Sequence, residues 1–244
     1  MSTRPVPDPL LDSARGLWEQ LAAVPVSFPS GEGVRVVTSP ESRFCPAGWV
    51  GVVVLGGSAL VTAPGRQAAA IVRDAFAELA ATAVANAEAV REVLPVARVL
   101  GPAALAYVSA AGFRPVADSV RSAEQRPGDH AELRNLEKLA GREDTEEAGL
   151  DEITSPAFVV RADGQVVAAA GYRTWPRRTA HIGVLTAPAW RRRGLARVVG
   201  SAATAHALAA GLLPQWRARV PASRQVALAL GFRELGTQLS IQLG

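Results

Sequence analysis

The sequence predicts an α/β (α+β) protein built of two tandem, related units, each a mixed, mostly antiparallel sheet flanked by helices. Three observations carry that expectation. Short Val- and Ala-rich runs bounded by Gly, Pro and Asp alternate with longer stretches of helical period. Ser58-Ala-Leu-Val-Thr-Ala-Pro-Gly65 echoes Ile182-Gly-Val-Leu-Thr-Ala-Pro-Ala189. Ala110-Ala-Gly-Phe-Arg-Pro115 echoes Ala229-Leu-Gly-Phe-Arg-Glu234 in the same order, so the pattern reads as a repeat. Third, the stretch His181 to Ala196 is a buried strand running through a short loop into an Arg-x-x-Gly-x-Ala turn that opens a long apolar helix.

Taken in order, residues 8–24 read as an amphipathic helix with Asp12 or Ser13 near its start and Pro25 beyond its end. Strands follow at 33–38, 48–55 and 58–63, the last two joined as a hairpin by Gly56-Gly57. A helix over 66–92, broken midway, leads to strand 96–100, helix 102–111 and strand 113–123. Gln125-Arg-Pro-Gly-Asp129 is polar and combines Pro with Gly, which sets the boundary between a first domain, 1–124, and a second, 125–244. The second domain begins with helices near 131–140 and 143–150 and strands 157–162 and 165–174, the strands hinged at Asp163-Gly164. Strand 179–186, helix 192–211 ending at Gly211, strand 214–219, helix 221–230 and strands 232–243 complete it.

Composition narrows the function. The chain of 244 residues is 49% hydrophobic, enough for a sizeable core and too apolar for disorder throughout. No apolar run reaches the length of a membrane span, and the Met1-Ser-Thr-Arg-Pro start has no signal-peptide core, so a cytoplasmic protein without a membrane partner is expected. Cys45 is the only cysteine, which excludes an internal disulfide and a cysteine metal cluster, and no metal is expected. The net charge is +4, yet Lys138 is the only lysine, so the basicity is arginine spread along an Ala-rich chain. Nucleic-acid surfaces cluster basic residues with aromatics. Here only Arg191, Arg192 and Arg193 cluster, and no nucleic-acid partner is expected.

The turn itself points to a diphosphate. The first N–H groups of a helix have no internal acceptor and sit at the positive end of its dipole. Gly194 lets the backbone approach a ligand closely, and three arginines at a helix N-terminus are unfavourable unless an anion joins them. The pattern is neither the Gly-x-Gly-x-x-Gly of dinucleotide folds nor a P-loop.

Strand, Pro188, Arg191-x-x-Gly194-x-Ala196 and helix together resemble the coenzyme A signature of the GNAT superfamily of N-acetyltransferases. Leu213 to Phe232 resembles that family's next strand, helix and Leu-Gly-Phe turn, and Gly236 to Leu243 alternates like its closing strand. The resemblance covers roughly residues 130 to 244 and makes the N-terminal half a degenerate copy, since Pro64 is followed by Gly-Arg-Gln-Ala without the arginine-and-glycine turn. It implies acetyl-CoA as acyl donor, held by Val184, Leu185 and Thr186 along the pantetheine arm and by Arg191, Arg192, Arg193, Gly194, Leu195 and Ala196 at the diphosphate. It also implies acetyl transfer to a small-molecule or peptide amine, directly and without a covalent intermediate. Two departures stand out. The family often carries a Tyr four residues before the Gly-Phe turn, where it protonates the leaving thiolate; here that residue is Ala227. The Asn that often opens the same helix is replaced by Val220 or Pro221.

Candidate catalytic residues follow from the chemistry of acyl transfer to an amine, which needs a proton acceptor for the amine and a proton donor for the thiolate. His181 has the ordinary pKa for a general base. Glu147 closes an acidic run, Glu143 to Glu147, that serves equally as a favourable helix start. Tyr172 is the only tyrosine of the second half and is either core or acid; Trp175 and Trp216 are either pocket or core. Arg197 faces solvent or a phosphate. His206 and Cys45 read as packing residues. A different class of function, a non-catalytic acyl-CoA-binding or sensing protein, is favoured by Ala227.

Overall fold

The computed structural model describes residues 8–116, 122–128 and 131–244. In chain order its first elements are α1 (Pro9–Leu21), β1 (Gly33–Thr38), β2 (Val50–Leu55), β3 (Ser58–Ala63), α2 (Arg66–Ala75), α3 (Ala87–Val93), β4 (Val96–Tyr107) and β5 (Glu124–Arg126). There follow α4 (Ala131–Ala140), α5 (Arg142–Ala148), β6 (Ala157–Ala162), β7 (Gln165–Trp175), β8 (Thr179–Thr186), α6 (Leu195–Ala209), β9 (Leu213–Ala218), α7 (Pro221–Ala229) and β10 (Arg233–Leu243). Both units are mixed α/β, with sheets flanked by helices, as the alternation of periods implies. Two compact units divide the chain: unit 1 is Met1–Leu105, Ala218–Val220 and Glu234–Gly244; unit 2 is Ala106–Arg217 and Pro221–Arg233. Along the chain the first change of unit falls at Leu105/Ala106, inside β4.

In unit 1 the strand order is β1-β3-β2-β10-β4. β2 and β3 form the expected hairpin through Gly56-Gly57, β1 runs parallel to β3 from Gly33↔Ser58 to Thr38↔Ala63, and β10 lies antiparallel to β2. Asp8 caps α1, its carboxylate accepting from the N–H groups of Leu10 and Leu11 at 3.2 and 3.4 Å. Val52, Val54, Val61, Val72, Phe76, Leu239 and Ile241 form the core.

The break expected midway along 66–92 falls between α2 and α3, around a 3-10 turn at Ala83–Ala85, with the Asn86 side chain capping α3. One expectation for this half is corrected: where a helix was expected over 102–111, residues 102–107 continue β4 and 108–116 are turn or irregular. Ala103-Ala-Leu-Ala-Tyr107 has no decisive period, and burial of Ala103, Leu105, Ala106 and Tyr107 in the strand overrides the helix propensity of alanine. The strand expected at 113–123 also falls partly on residues 117–121, outside the described set. The echoed segments thus share a hairpin that leads into a helix, but the strand pairing differs. β3 has a parallel neighbour that precedes it, whereas the parallel neighbour of β8 follows it.

In unit 2 the order is β9-β8-β7-β6-β5, with β6, β7 and β8 antiparallel and β8 and β9 parallel. One face buries Leu133, Leu136, Leu150, Val159, Val166 and Leu185 under α4 and α5, while α6 packs on β6, β7 and β8. Gly183 in β8 is a packing requirement: a Cβ there would lie 2.0 Å from the carbonyl oxygen of Ala148 at the end of α5. Gly183→Ala is expected to lower stability by about 1–3 kcal/mol, because the clashing atom is main chain and cannot turn aside; the shift in urea midpoint measures it.

Candidate active site

The site is built on β8. Its ladder with β7 runs from Thr179↔Trp175 to Thr186↔Ala168. Its ladder with β9 covers only Thr179↔Leu213 to Ile182↔Trp216. From Gly183 to Thr186 the main-chain groups pointing away from β7 have no ladder partner among the described residues. Unpaired strand groups are a ready template for an extended, amide-bearing chain. The Thr186 hydroxyl at the end of this notch is sealed from solvent and has no hydrogen-bond partner among the described residues. Leu185 is buried toward α4 and α5, so it meets a ligand only through its main chain; Val184 and Thr186 are half-buried.

Beyond Thr186 the chain turns sharply. The Ala187 N–H donates to the Val167 carbonyl at 2.9 Å, and Pro188–Trp190 make one 3-10 turn. Arg192 (φ 60) and Gly194 (φ 77) are left-handed, so α6 begins at Leu195 rather than at residue 192. Gly194 is the N-cap and supplies no side-chain hydrogen bond, which leaves the first N–H groups of a 15-residue helix without a side-chain acceptor. A Cβ at Gly194 would meet nothing within 4 Å, so the space beside that residue is open. A diphosphate fits this cradle chemically.

The three arginines divide. The Arg191 guanidinium is paired with the Asp144 carboxylate of α5 and donates through Nε to the Thr186 carbonyl at 3.4 Å, so it braces the loop. The Arg193 guanidinium lies 4.5 Å over the Trp190 ring. Arg192 and Arg197 are exposed with no ion pair among the described residues. Leu195 is buried and Ala196 half-buried at the start of α6.

His181, two residues before the notch, is half-buried on the same face of β8 as Gly183. Its ring stacks on Trp175 at 4.2 Å and 14°, and its Nδ1 is 2.7 Å from Oε1 of Gln215, its register partner on β9. Burial, with further help from the charges of Arg217 and Arg173, lowers its pKa to about 3 against the opposing pull of the Gln215 hydrogen bond. The ordinary value assumed from sequence does not hold. Trp175, pocket or core by sequence, thus backs His181.

The other candidates separate. Tyr172 is buried on the opposite face of β7, its hydroxyl 2.9 Å from Nδ1 of His206 in α6, and burial raises its pKa. That contact turns it away from the face of His181. Glu147 is half-buried in the last turn of α5, one residue before the carbonyl that abuts Gly183. In the same acidic run Asp144 holds Arg191 and Glu146 holds Arg142 at 2.6 Å. Trp216 is core: 3% exposed, packed by Gly200 of α6, with its Nε1 donating to Ser223 at 2.9 Å. Ala227 is buried and apolar. The Cys45 thiol, pushed up to about 12 by burial, is an inert packing group. Among the described residues, no group of three or more His, Cys, Asp or Glu is placed to hold a metal, and no helix is long and apolar enough to cross a membrane.

Two residues of the site were missed by sequence reasoning. Gln215 is fully buried, and its Nε2 donates to the hydroxyl of Tyr107 at 3.3 Å; Tyr107 is fully buried too. A glutamine inside a buried strand was a legible signal. Tyr107, more than a hundred positions away, had none.

A strand parted from its neighbour is followed here by an arginine-and-glycine turn at a helix start without a side-chain cap. Residues 155–237 match the GNAT acetyltransferase family model. Among solved structures, a GNAT-family protein from Novosphingobium aromaticivorans is 24% identical with a TM-score of 0.47, the match covering 60% of this chain and 65% of that one. An acetyltransferase of the GNAT family from Colwellia psychrerythraea is 15% identical with a TM-score of 0.46, covering 62% and 59%. A GCN5-related N-acetyltransferase from Kribbella flavida is 20% identical with a TM-score of 0.45, covering 78% and 88%. In the first two the match spans less than two thirds of the relative's own length. None of the curated proteins matches the chain.

The His181 environment has a pH consequence. Its folded pKa of about 3 lies below the ordinary value of 6.5, so the neutral ring stabilises the fold above pH 6.5, and that contribution is lost as pH falls toward 3. The His181 ring protons are expected to show no titration in NMR spectra between pH 8 and about 4. His181→Asn should flatten the fall in urea midpoint between pH 7 and about 5; an equal fall in parent and variant counts against the buried neutral ring.

Proposed function

We propose that unit 2 is a cytoplasmic N-acetyltransferase domain that uses acetyl-CoA as donor and moves the acetyl group directly to an amine. The observation that carries this reading is the parting of β8 from β9 after Ile182 and Trp216, directly before the open N-terminus of α6. The diphosphate is assigned to the first N–H groups of α6 with Arg192 and Arg193, and the pantetheine to the free edge of Val184, Leu185 and Thr186. Arg191 keeps the loop in shape through Asp144. In the transfer the amine nitrogen bonds to the acetyl carbon, the carbon–sulfur bond breaks, one proton leaves nitrogen and one reaches sulfur. A main-chain N–H of the notch stabilises the charge on the carbonyl oxygen. His181, neutral at working pH, accepts a hydrogen bond from the amine and sets its direction; its low basicity does not suit it to store the proton. Glu147 is assigned to binding the amine.

A second reading has its own support. Ala227 occupies the place where the resemblance implies a thiolate acid, and Tyr172 is committed to His206. A non-catalytic acyl-CoA-binding or sensing role follows if no group serves as acid. Release of free thiol from acetyl-CoA across a panel of small-molecule and peptide amines separates the two. Turnover on at least one amine is expected; saturable binding with none favours the sensor.

The cradle is tested by Gly194→Glu, which is expected to abolish acetyl-CoA binding in calorimetry. Gly194→Ala, whose Cβ enters open space, should bind and lose only about 1 kcal/mol of stability from its left-handed backbone. Parent affinity in Gly194→Glu would refute the assignment. Arg192→Ala should weaken binding roughly fivefold to tenfold, by loss of one charge-assisted contact, and more than Arg191→Ala; Arg66→Ala should leave affinity unchanged.

A further inference from the structure

We propose that Gln215, anchored by Tyr107, is a positioning residue that holds His181 in its Nδ1–H tautomer, so that Nε2 presents a lone pair to the acceptor amine. The inference deepens the acetyl-transfer reading and rests on it for the identity of the acceptor. His181 and Gln215 are register partners on β8 and β9, at the last turns of the ladder before the strands part. The amide of Gln215 is fully buried and both its ends are used: Nε2 donates to the Tyr107 hydroxyl at 3.3 Å, and Oε1 faces Nδ1 of His181 at 2.7 Å. A carbonyl oxygen only accepts, so Nδ1 donates. A neutral imidazole carries one N–H, so Nε2 is left bare.

The remaining freedom of the ring is removed by Trp175, stacked at 14°. Nε2 has no hydrogen bond among the described residues, and the His181 side chain is half-buried. Two apolar residues in place of Gln215 and Tyr107 would fill the same space without the cost of burying an amide and a phenol. The polar pair therefore has a purpose beyond packing, and Gln215 carries it to the His181 ring. The same assembly accounts for a catalytic strand whose histidine is neutral yet rigidly aimed. It also recruits Tyr107 from the first half of the chain into the site of the second.

The test uses the full chain labelled with 15N-histidine, with long-range proton–nitrogen correlations near neutral pH and His181 assigned through His181→Asn. The parent is expected to show protonated Nδ1 and bare Nε2 at His181. Gln215→Leu should lose that tautomer, and Gln215→Glu, which can only accept, should keep it. With an amine from the panel, Gln215→Leu should lower kcat about a hundredfold, as misplacement of a group that orients the reacting amine does. Acetyl-CoA affinity should stay unchanged, and Gln215→Glu should restore most of the rate. An Nε2–H tautomer in the parent, or an unchanged tautomer in Gln215→Leu, overturns the proposal. Should Gln215→Leu fail to fold, Tyr107→Phe decides: releasing the amide to turn over should mix the tautomers, and a pure Nδ1–H signal overturns it. Thiol release absent for every amine, in a protein with the locked tautomer, overturns the acyl-transfer reading instead, because the tautomer is read without any acyl donor.

Discussion

The site depends on one interruption: β8 is paired on both sides as far as Ile182 and on one side thereafter. A strand inside a sheet spends its amide groups on neighbours, and a strand released midway keeps some of them for a ligand. The released segment, Gly183 to Thr186, ends where the chain turns into α6, so unpaired strand groups and unpaired helix groups lie within one short stretch. Gly183 secures the other side of the strand, because only a residue without a Cβ lets the end of α5 rest on it. The opening and the packing that supports it are thus consequences of adjacent residues in one strand.

Electrostatics sorts the residues around this opening. At the tip of α6 cations face the positive end of a dipole, an arrangement that is costly alone and favourable with an anion between them. Asp144 takes Arg191 out of that competition and turns it into a brace, which leaves the outward charge to Arg192 and Arg193. Deeper on β8, burial beside Arg217 and Arg173 keeps His181 uncharged. A group that neither gains nor loses a proton near neutral pH works by direction, and direction is what Trp175 and Gln215 supply.

Much of the second unit was legible because each element there obeys a single period and is closed by a strong punctuation mark. Strands 157–162 and 179–186 and the hairpin at Asp163-Gly164 emerge with the bounds expected of them. The first half was less legible, since Ala103 to Tyr107 is compatible with helix and strand alike, and only the neighbouring strands choose between them. The first turn of α6 was misplaced for a related reason. Three arginines are good helix formers, and nothing local announces that Arg192 adopts a left-handed conformation.

The sequence by itself determined the alternation of strands and helices, the match of residues 155–237 to the GNAT family model, and the arginine-and-glycine turn, because each is written in residues close together along the chain. Tertiary structure alone decided which arginines are paired, that burial lowers the pKa of His181, and that Tyr107 joins Gln215. Those outcomes depend on burial and on partners dozens of positions apart, and neither quantity exists until the chain has folded.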